Sequence, residues 1–500
     1  MLLALQRRRP TGSGWNALSR TLIAGAVAPA LVLIPPHRPS TADAADSVTA
    51  RATPARHLYH PIAVGIPDLG FGVVDYFTPA SSEMLMEGES KGPVRFGAAV
   101  AVVNLDQLGG FDLVIGAPGD TAGTLAARVD LRFSATDTSP AQTVSIPSPG
   151  ALGDEFGAAI AVSTLSVWDP ETARYVWIGA PGTDVGSHQN AGAVYRYSLS
   201  PTGELALLDT ITQDSALVPG AAETGDRFGE VLLPRFGEVL VGVPHEDIGS
   251  AVDAGAVQAL HLAPSPTTET PVVTDLIAAA SWSQDSPGMP GKAESGDRFG
   301  AALLPGLVGV PGEDVGRLKN AGAVASLSLP ADEVTAAVPG EVWSQDSPAV
   351  PGKAEPGDQF GAALSSGVYS CRESSRIAVG SPGEDLRGKA DAGAVIVLGN
   401  PTCPASLLSQ GSGLPGRAEA GDRVGATLQT VTGDLELEED QHDNLLIGAP
   451  GEDVRSATGS QNVRDAGRVL VYGNSQPNFG AVYGDEAGMR YGSVLSSEVG

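Results

Sequence analysis

Cysteine is scarce in this sequence of 500 residues, which contains only Cys371 and Cys403. Neither belongs to a CxxC pair, and this excludes a cysteine-based zinc site. The seven histidines are scattered and show no metal-ligand spacing. No GxSxG, HExxH or P-loop motif is present, so the sequence lacks the common signatures of serine hydrolases, zinc proteases and nucleotide-binding proteins.

Basic residues are also few, with 30 Lys and Arg against 58 Asp and Glu, and the formal net charge is −28. This charge would repel phosphate and excludes nucleic acid as a partner. It suits cations, a basic partner surface or simple solubility. Beyond the first 44 residues the sequence contains no long apolar run, so no stable membrane span is expected in the mature chain.

The N-terminus has the pattern of an export signal. Three arginines at positions 7–9 precede an apolar stretch over residues 22–34, and Ala42-Asp43-Ala44 offers a small-x-small cleavage site. A single membrane anchor is the alternative, but these apolar residues fall short of the roughly 20 needed to span a bilayer. We therefore predict a signal peptide over residues 1–44, a linker over 45–57 and a secreted, extracellular domain over 58–500.

Glycine and proline are abundant, with 64 and 38 residues, and they recur periodically. Residues 296–324 define the repeat: a strand opened by Phe-Gly, a tight turn, a strand ending in Gly-x-Pro, an acidic loop, and a strand opened by Ala-Gly. A fourth strand ending in a Ser-Gln-Asp-Ser type segment completes the unit. The openings of successive first strands are 60 to 72 residues apart. They lie at Phe96, Phe156, Phe228, Phe299, Phe360 and Val424.

The two ends of the domain complement each other. Residues 62–67 and 72–77 resemble a second and a third strand without a first, and Tyr491-Gly492 opens a first strand after which the sequence stops. A linear stack of repeats would leave two bare sheet edges, whereas a ring leaves none. We therefore predict an all-β fold, a closed seven-bladed β-propeller of four-stranded antiparallel blades in which both ends share one blade.

Phe-Gly followed by Gly-Ala-Pro at this spacing resembles the FG-GAP repeat of the integrin alpha-subunit propeller. The resemblance covers residues 58–500 and implies a binding platform for adhesion or recognition, with calcium loops of pattern DxDxDGxxD between first and second strands. Those loops are mostly absent here. Two looser matches are candidate calcium sites, and the alternative for each is a solvated acidic hairpin. They comprise Asn104, Asp106 and Asp112 in the first and Glu436, Glu438 and Asp440 in the second.

Alternating strand direction places the loops between second and third strands and those between blades at the same end of the ring. Both sets of loops carry carboxylates, and this predicts an acidic binding face for a protein or carbohydrate ligand. The alternative is that these carboxylates accept hydrogen bonds from the backbone amides of their own turns. The loops between second and third strands carry Asp120, Asp184, Glu246, Asp247, Glu313, Asp314, Glu384, Asp385, Glu452 and Asp453. The loops between blades carry Asp226, Asp297, Asp358 and Asp422.

The same topology places Cys371 and Cys403 in loops at the opposite end of one blade. This predicts a disulfide, which fits an oxidising compartment, and two unpaired thiols are the alternative. With no catalytic motif, the sequence favours a secreted non-catalytic recognition propeller. The competing hypothesis is an extracellular hydrolase or lyase with a carboxylate site at one mouth of the channel. A cluster of unrepeated polar residues at one place would favour the enzyme.

Overall fold

The computed structural model describes eighteen stretches of the chain. These are residues 61–69, 72–77, 82–86, 94–106, 110–120, 122–135, 140–164, 174–200, 204–235, 238–262, 276–328, 338–369, 375–399, 403–431, 442–455, 462–473, 482–483 and 487–497. Every described residue belongs to the compact unit Val48–Gly500. The predicted signal peptide and linker lie outside the described residues.

Strands are the only regular secondary structure longer than a turn in the described part of the chain. They form seven blades of four antiparallel strands each, with three additional short strands in blades 6 and 7. Blade 1 contains β1 (Ile62–Ile66), β2 (Val73–Phe77) and β3 (Ser82–Met86), together with a strand from the end of the chain. Blade 2 contains β4 (Ala99–Val103), β5 (Asp112–Ala117), β6 (Arg128–Phe133) and β7 (Gln142–Pro147). Blade 3 contains β8 (Ala159–Thr164), β9 (Arg174–Ala180), β10 (Ala193–Leu199) and β11 (Leu205–Ile211).

The remaining blades follow the same order. Blade 4 contains β12 (Val231–Arg235), β13 (Glu238–Val243), β14 (Ala256–Leu262) and β15 (Leu276–Trp282). Blade 5 contains β16 (Ala302–Leu304), β17 (Leu307–Val310), β18 (Ala323–Ser328) and β19 (Val338–Trp343). Blade 6 contains β20 (Ala363–Gly367), β21 (Arg376–Ser381), β22 (Ala394–Val397), β23 (Ser406–Gln410) and β24 (Gly413–Leu414). Blade 7 contains β25 (Thr427–Val431), β26 (Asn444–Ala449), β29 (Arg468–Tyr472) and β30 (Val482–Tyr483). The short hairpin of β27 (Val454–Arg455) and β28 (Asn462–Val463) lies between its second and third strands. The last strand, β31 (Val494–Ser497), belongs to blade 1.

The first strand of each blade lies innermost. The strands β4, β8, β12, β16, β20, β25 and β31 contact one another in that order, and β31 contacts β4 again, so they surround a central channel. The predicted seven-bladed propeller is therefore confirmed.

The C-terminal strand closes the ring, as predicted. β31 pairs antiparallel with β1, with Leu495 opposite Val64. The Ser496 hydroxyl accepts a hydrogen bond from the Val102 amide of blade 2 at 3.2 Å, and the fully buried Tyr491 hydroxyl donates to the Asp75 carboxylate at 2.9 Å. The last strand thus bonds to its own blade and to the next one.

Close contact between adjacent blades explains the paired glycines of the repeat. A Cβ added to the glycine of any second strand would lie only 1.9–2.2 Å from a carbonyl oxygen in the next blade, that of the glycine in its Phe-Gly, Val-Gly or Tyr-Gly pair. Gly309, for example, faces Gly361 in this way. The aromatic residue beside that second glycine fills the space between blades, and Phe156, Phe228, Phe299 and Phe360 are completely buried. Glycine and phenylalanine together therefore set the distance between blades.

Candidate functional site at the channel mouth

One end of the channel is bordered by seven equivalent positions. Each lies directly before the Phe-Gly pair, or its Val-Gly or Tyr-Gly equivalent, that leads into an inner strand, and we call these the mouth residues. All seven adopt left-handed backbone conformations with φ between 50° and 57°. They are Arg95, Glu155, Arg227, Arg298, Gln359, Arg423 and Arg490.

Hydrogen bonds between blades hold this backbone in place. The amide of Arg298 donates to the carbonyl of Asp253 in the preceding blade at 3.1 Å, and Arg423 donates to Asp391 at the same distance. A left-handed conformation costs a non-glycine residue roughly 1–2 kcal/mol, so it persists where neighbouring bonds enforce it. The same backbone geometry therefore fixes every mouth side chain at the same point of its blade.

Ion pairs neutralise one side of the mouth. Glu155 accepts a hydrogen bond from Arg227 at 2.7 Å, and its other carboxylate oxygen lies 4.0 Å from Arg95. Arg227 also donates to Glu230 at 2.7 Å. The mouth residues of blades 2, 3 and 4 therefore form one linked group.

His245 extends this group. Its Nδ1–H donates to the Asp253 carboxylate at 2.9 Å, and its Nε2 lies 3.7 Å from Glu230. Three members depart from the repeat, since Glu155 replaces Arg or Gln, Glu230 replaces Ala or Ser, and His245 replaces the usual Gly. The scattered spacing of the seven histidines gives no indication of a role for His245. Three residues that differ from their equivalents in the other blades lie together here, and these differences are the sequence signal that could have revealed the unrepeated cluster.

The other side of the mouth is basic and open. The side chains of Arg298, Gln359 and Arg423 are exposed. Among the described residues, no carboxylate oxygen lies within 4.0 Å of the side-chain nitrogens of Arg298 or Arg423. Two cavities separate the three side chains. One of about 390 Å³ is lined by Arg298, Pro311, Gly312, Asn320 and Gln359, and one of about 300 Å³ is lined by Gln359, Pro382, Gly383, Asp391 and Arg423.

The aspartates of the loops between blades face inward. Asp226, Asp297, Asp358 and Asp422 are each only 1% exposed. Each accepts the amide hydrogen of the residue three positions earlier, at 2.5–2.6 Å. These carboxylates therefore brace the turns that precede the mouth residues.

The glutamates of the predicted acidic face bind glutamines of the preceding blade. The Nε2 groups of four glutamines at or two residues beyond the ends of the fourth strands donate at 2.5–2.6 Å. They belong to Gln213, Gln284, Gln345 and Gln410. The acceptors are Glu246, Glu313, Glu384 and Glu452. This polar contact repeats at four consecutive boundaries and joins blade to blade.

The remaining predicted acidic residues lie in the loops between second and third strands. Each accepts a backbone amide within its own loop, at 2.6–3.0 Å. They are Asp120, Asp184, Asp247, Asp314, Asp385 and Asp453. All fourteen carboxylates thus have a structural partner, which favours the turn-bracing alternative; ligand binding by the acidic face stays a prediction.

Burial also weakens the charge of this end. It raises the pKa of Asp226 to about 6 and those of Asp297, Asp358 and Asp422 to about 7, with a further contribution from neighbouring carboxylates. Burial likewise raises the pKa of Glu246 to about 7. These groups are partly protonated near neutral pH, so the negative charge here is smaller than the formal count.

The first candidate calcium loop is occupied by its own backbone. Asp112 is 1% exposed and accepts amide hydrogens from Leu105 at 2.6 Å and from Ser134 at 2.7 Å. Asn104 and Asp106 lie half-buried beside it. Within the described residues, no three His, Cys, Asp or Glu side chains are arranged to hold a metal ion. Glu436, Glu438 and Asp440 of the second candidate lie outside the described residues, and calcium binding stays a prediction.

Cys403 is buried and disulfide-bonded. Cys371, the only other cysteine of the sequence, lies outside the described residues. In the part of the chain that is described, no helix has the length and apolar character to cross a membrane.

Fold and mouth geometry together define a closed seven-bladed β-propeller with a polar mouth at one end of its channel. No protein-family model matches the chain, and no curated protein does. Seventy-four chains of solved structures resemble it. One is the periplasmic gluconolactonase PpgL of Pseudomonas aeruginosa, which is 10% identical, with 88% of this chain and 98% of that chain covered and a TM-score of 0.42. This likeness is too weak to assign an activity.

Proposed function

We propose that this chain is an exported recognition propeller of the FG-GAP type, which binds a protein or carbohydrate ligand at the channel mouth without altering it chemically. The observation that carries the proposal is the open side of the mouth. There, exposed side chains with free hydrogen-bonding groups border two cavities on a backbone fixed by contacts between blades. A rigid surface with unused donors binds a ligand at a small entropic cost.

Export is supported by two further observations. The N-terminus carries the charged, apolar and small-residue pattern of a signal peptide. Cys403 is disulfide-bonded, which is typical of oxidising compartments.

The proposal is tested with panels of immobilised glycans and extracellular proteins, probed with the purified protein. We expect saturable binding of at least one ligand class, and recovery of that ligand with unchanged mass. Failure to bind any panel member would contradict recognition, and a ligand recovered cleaved or isomerised would contradict the non-catalytic assignment.

A second function, a hydrolase or lyase, is favoured by the unrepeated cluster of Glu155, Arg227, Glu230, His245 and Asp253. A histidine oriented by an aspartate and facing a glutamate is a suitable acid-base arrangement. Turnover of polysaccharides and phosphodiesters should be assayed for the wild type, His245→Gly and Glu230→Ala. Both substitutions restore residues found in other blades, so loss of turnover in a folded variant would establish the enzyme.

Calcium binding at the two candidate loops is tested separately from ligand binding. Calorimetric titration of the protein with calcium, before and after chelator treatment, tests both candidate loops. An Asp106→Asn variant assigns any heat to the first of them.

A further inference from the structure

The charge around the channel mouth is distributed unevenly. Of the seven mouth residues, five are arginines, and one carboxylate, Glu155, serves two of them. Arg490 has its own partner in Asp68, at 3.5 Å. Arg298 and Arg423 remain without a carboxylate among the described residues. Two exposed guanidinium groups at the mouth are therefore left without a carboxylate partner in the described part of the chain, on a protein whose formal charge is strongly negative.

The two cavities beside these arginines are equivalent by the repeat. Each places a mouth arginine near the Pro-Gly that ends a second strand and near a left-handed loop residue, which is Asn320 in one cavity and Asp391 in the other. Gln359 belongs to both cavities. A ligand that occupied both would meet a cation, a neutral amide and a second cation in sequence, with the carboxylate of Asp391 also lining the second cavity.

We propose that Arg298 and Arg423 bind oxyanion groups, carboxylate or sulfate, on a short acidic oligosaccharide that lies across the open side of the mouth. This inference rests on the proposed recognition function and names its ligand class. Guanidinium groups bind carboxylate and sulfate through charge-assisted, often paired hydrogen bonds. The amide and carboxylate groups of Asn320, Gln359 and Asp391 supply acceptors and donors for sugar hydroxyls.

Charge also limits the size of the ligand. A long polyanion would meet the field of the whole molecule, whose formal net charge is −28, and would be repelled. A short oligosaccharide contacts only the mouth, where arginines dominate. Two equivalent cavities that share Gln359 also suit a chain of like units better than a single small anion.

The repeat supplies well-matched variants for a test. Gln359 shows that a glutamine is accepted at the left-handed mouth position, so Arg298→Gln and Arg423→Gln should fold normally. Gln359→Arg places a third arginine between the other two. Arg317→Gln removes an exposed arginine of the same blade as Arg298 that lines neither cavity, and it serves as the control.

Binding should be measured by calorimetry with four probes: a tetramer of galacturonic acid, a chondroitin sulfate tetrasaccharide, a neutral galactose tetramer and inorganic sulfate. We expect one or both acidic tetramers to bind, and each Arg→Gln change to weaken that binding about 10-fold. Gln359→Arg should tighten it, Arg317→Gln should leave it unchanged, and rising salt should weaken it. The two acidic probes distinguish carboxylate from sulfate as the recognised group.

Several outcomes would overturn the proposal. These are equal binding of the neutral tetramer, unchanged binding in both Arg→Gln variants, inorganic sulfate as tight as the tetramers, or no binding of either acidic tetramer. If the protein instead binds a different ligand from the wider panels, recognition stands and the ligand class is wrong. If an acidic tetramer binds through the arginines but is cleaved, the ligand class stands and the non-catalytic function is wrong.

Discussion

Replacing Gly309 with alanine should strongly destabilise the propeller. Gly309 lies in β17 of blade 5, and an added Cβ would be 2.1 Å from the carbonyl oxygen of Gly361 in blade 6. Real Cβ atoms essentially never approach a heavy atom closer than 3.0 Å, so blades 5 and 6 must separate by about 1 Å. The carbonyl belongs to backbone that is itself held, since the Gly361 amide donates to Gly380 at 3.0 Å.

The expected cost is about 3 kcal/mol, at the upper end of the range for overpacking, because backbone rather than a flexible side chain must move. Gly306→Ala is the matched control. It adds the same methyl group in the same hairpin, where φ is +82° and no atom lies within 4 Å of the new Cβ. Only the backbone conformation opposes it, at about 1–2 kcal/mol.

Urea-induced unfolding, followed by fluorescence, gives both free energies, and hydrogen exchange locates the weakened region. We expect faster exchange at the boundary of blades 5 and 6 in Gly309→Ala only. If Gly309→Ala is no less stable than Gly306→Ala, the glycines do not set the spacing between blades and the packing argument fails.

Two further predictions concern buried carboxyl groups. Tyr491→Phe introduces the phenylalanine found in other blades but removes the hydrogen bond to Asp75, so it should lower the free energy of urea-induced unfolding by about 1–3 kcal/mol. Adding Asp75→Ala should recover part of that loss. Equal stability of the single and double variants would contradict this prediction. Burial raises the pKa of Asp358 from 3.8 to about 7, so the folded state binds a proton at this carboxyl more tightly than the unfolded state does. The stability that this proton contributes is fully present below pH 4 and is lost as the pH rises through 7. Asp358→Asn abolishes that loss. The stability of the variant relative to wild type should therefore be about 1–2 kcal/mol higher at pH 8 than at pH 4; this is less than the full shift implies, because the flanking residues Glu355 and Gln359 are exposed and solvent screens the turn. A pH-independent difference would refute the assignment.

The fold was predictable because its determinants are local and repeated. Phe-Gly, Gly-x-Pro and Ala-Gly mark the ends of strands and recur every 60 to 72 residues. Ring closure was predictable from the number of strands in each repeat, because the first strand that is missing before Ile62 is supplied by the residues after Tyr491.

The site was predicted less well, because side-chain direction depends on contacts between blades. Asp297 and Arg298 are adjacent in sequence, yet the aspartate is buried in its turn and the arginine is exposed at the mouth. The left-handed backbone at Arg298, enforced by Asp253 of another blade, produces this difference. Counting charges therefore located the carboxylates of this end but did not reveal that Arg298 is exposed among them.

Crosslinking of the first and last strands tests the closed ring most directly, because every mouth position depends on it. Val64→Cys combined with Leu495→Cys joins direct register partners, and Ile62→Cys with Leu495→Cys is a diagonal control beyond the usual reach of a disulfide. We predict that the first pair forms an intramolecular disulfide under mild oxidation, seen by peptide mass spectrometry, and that the control pair forms it poorly. Absence of the first crosslink, or its formation between two molecules, would contradict the closed propeller.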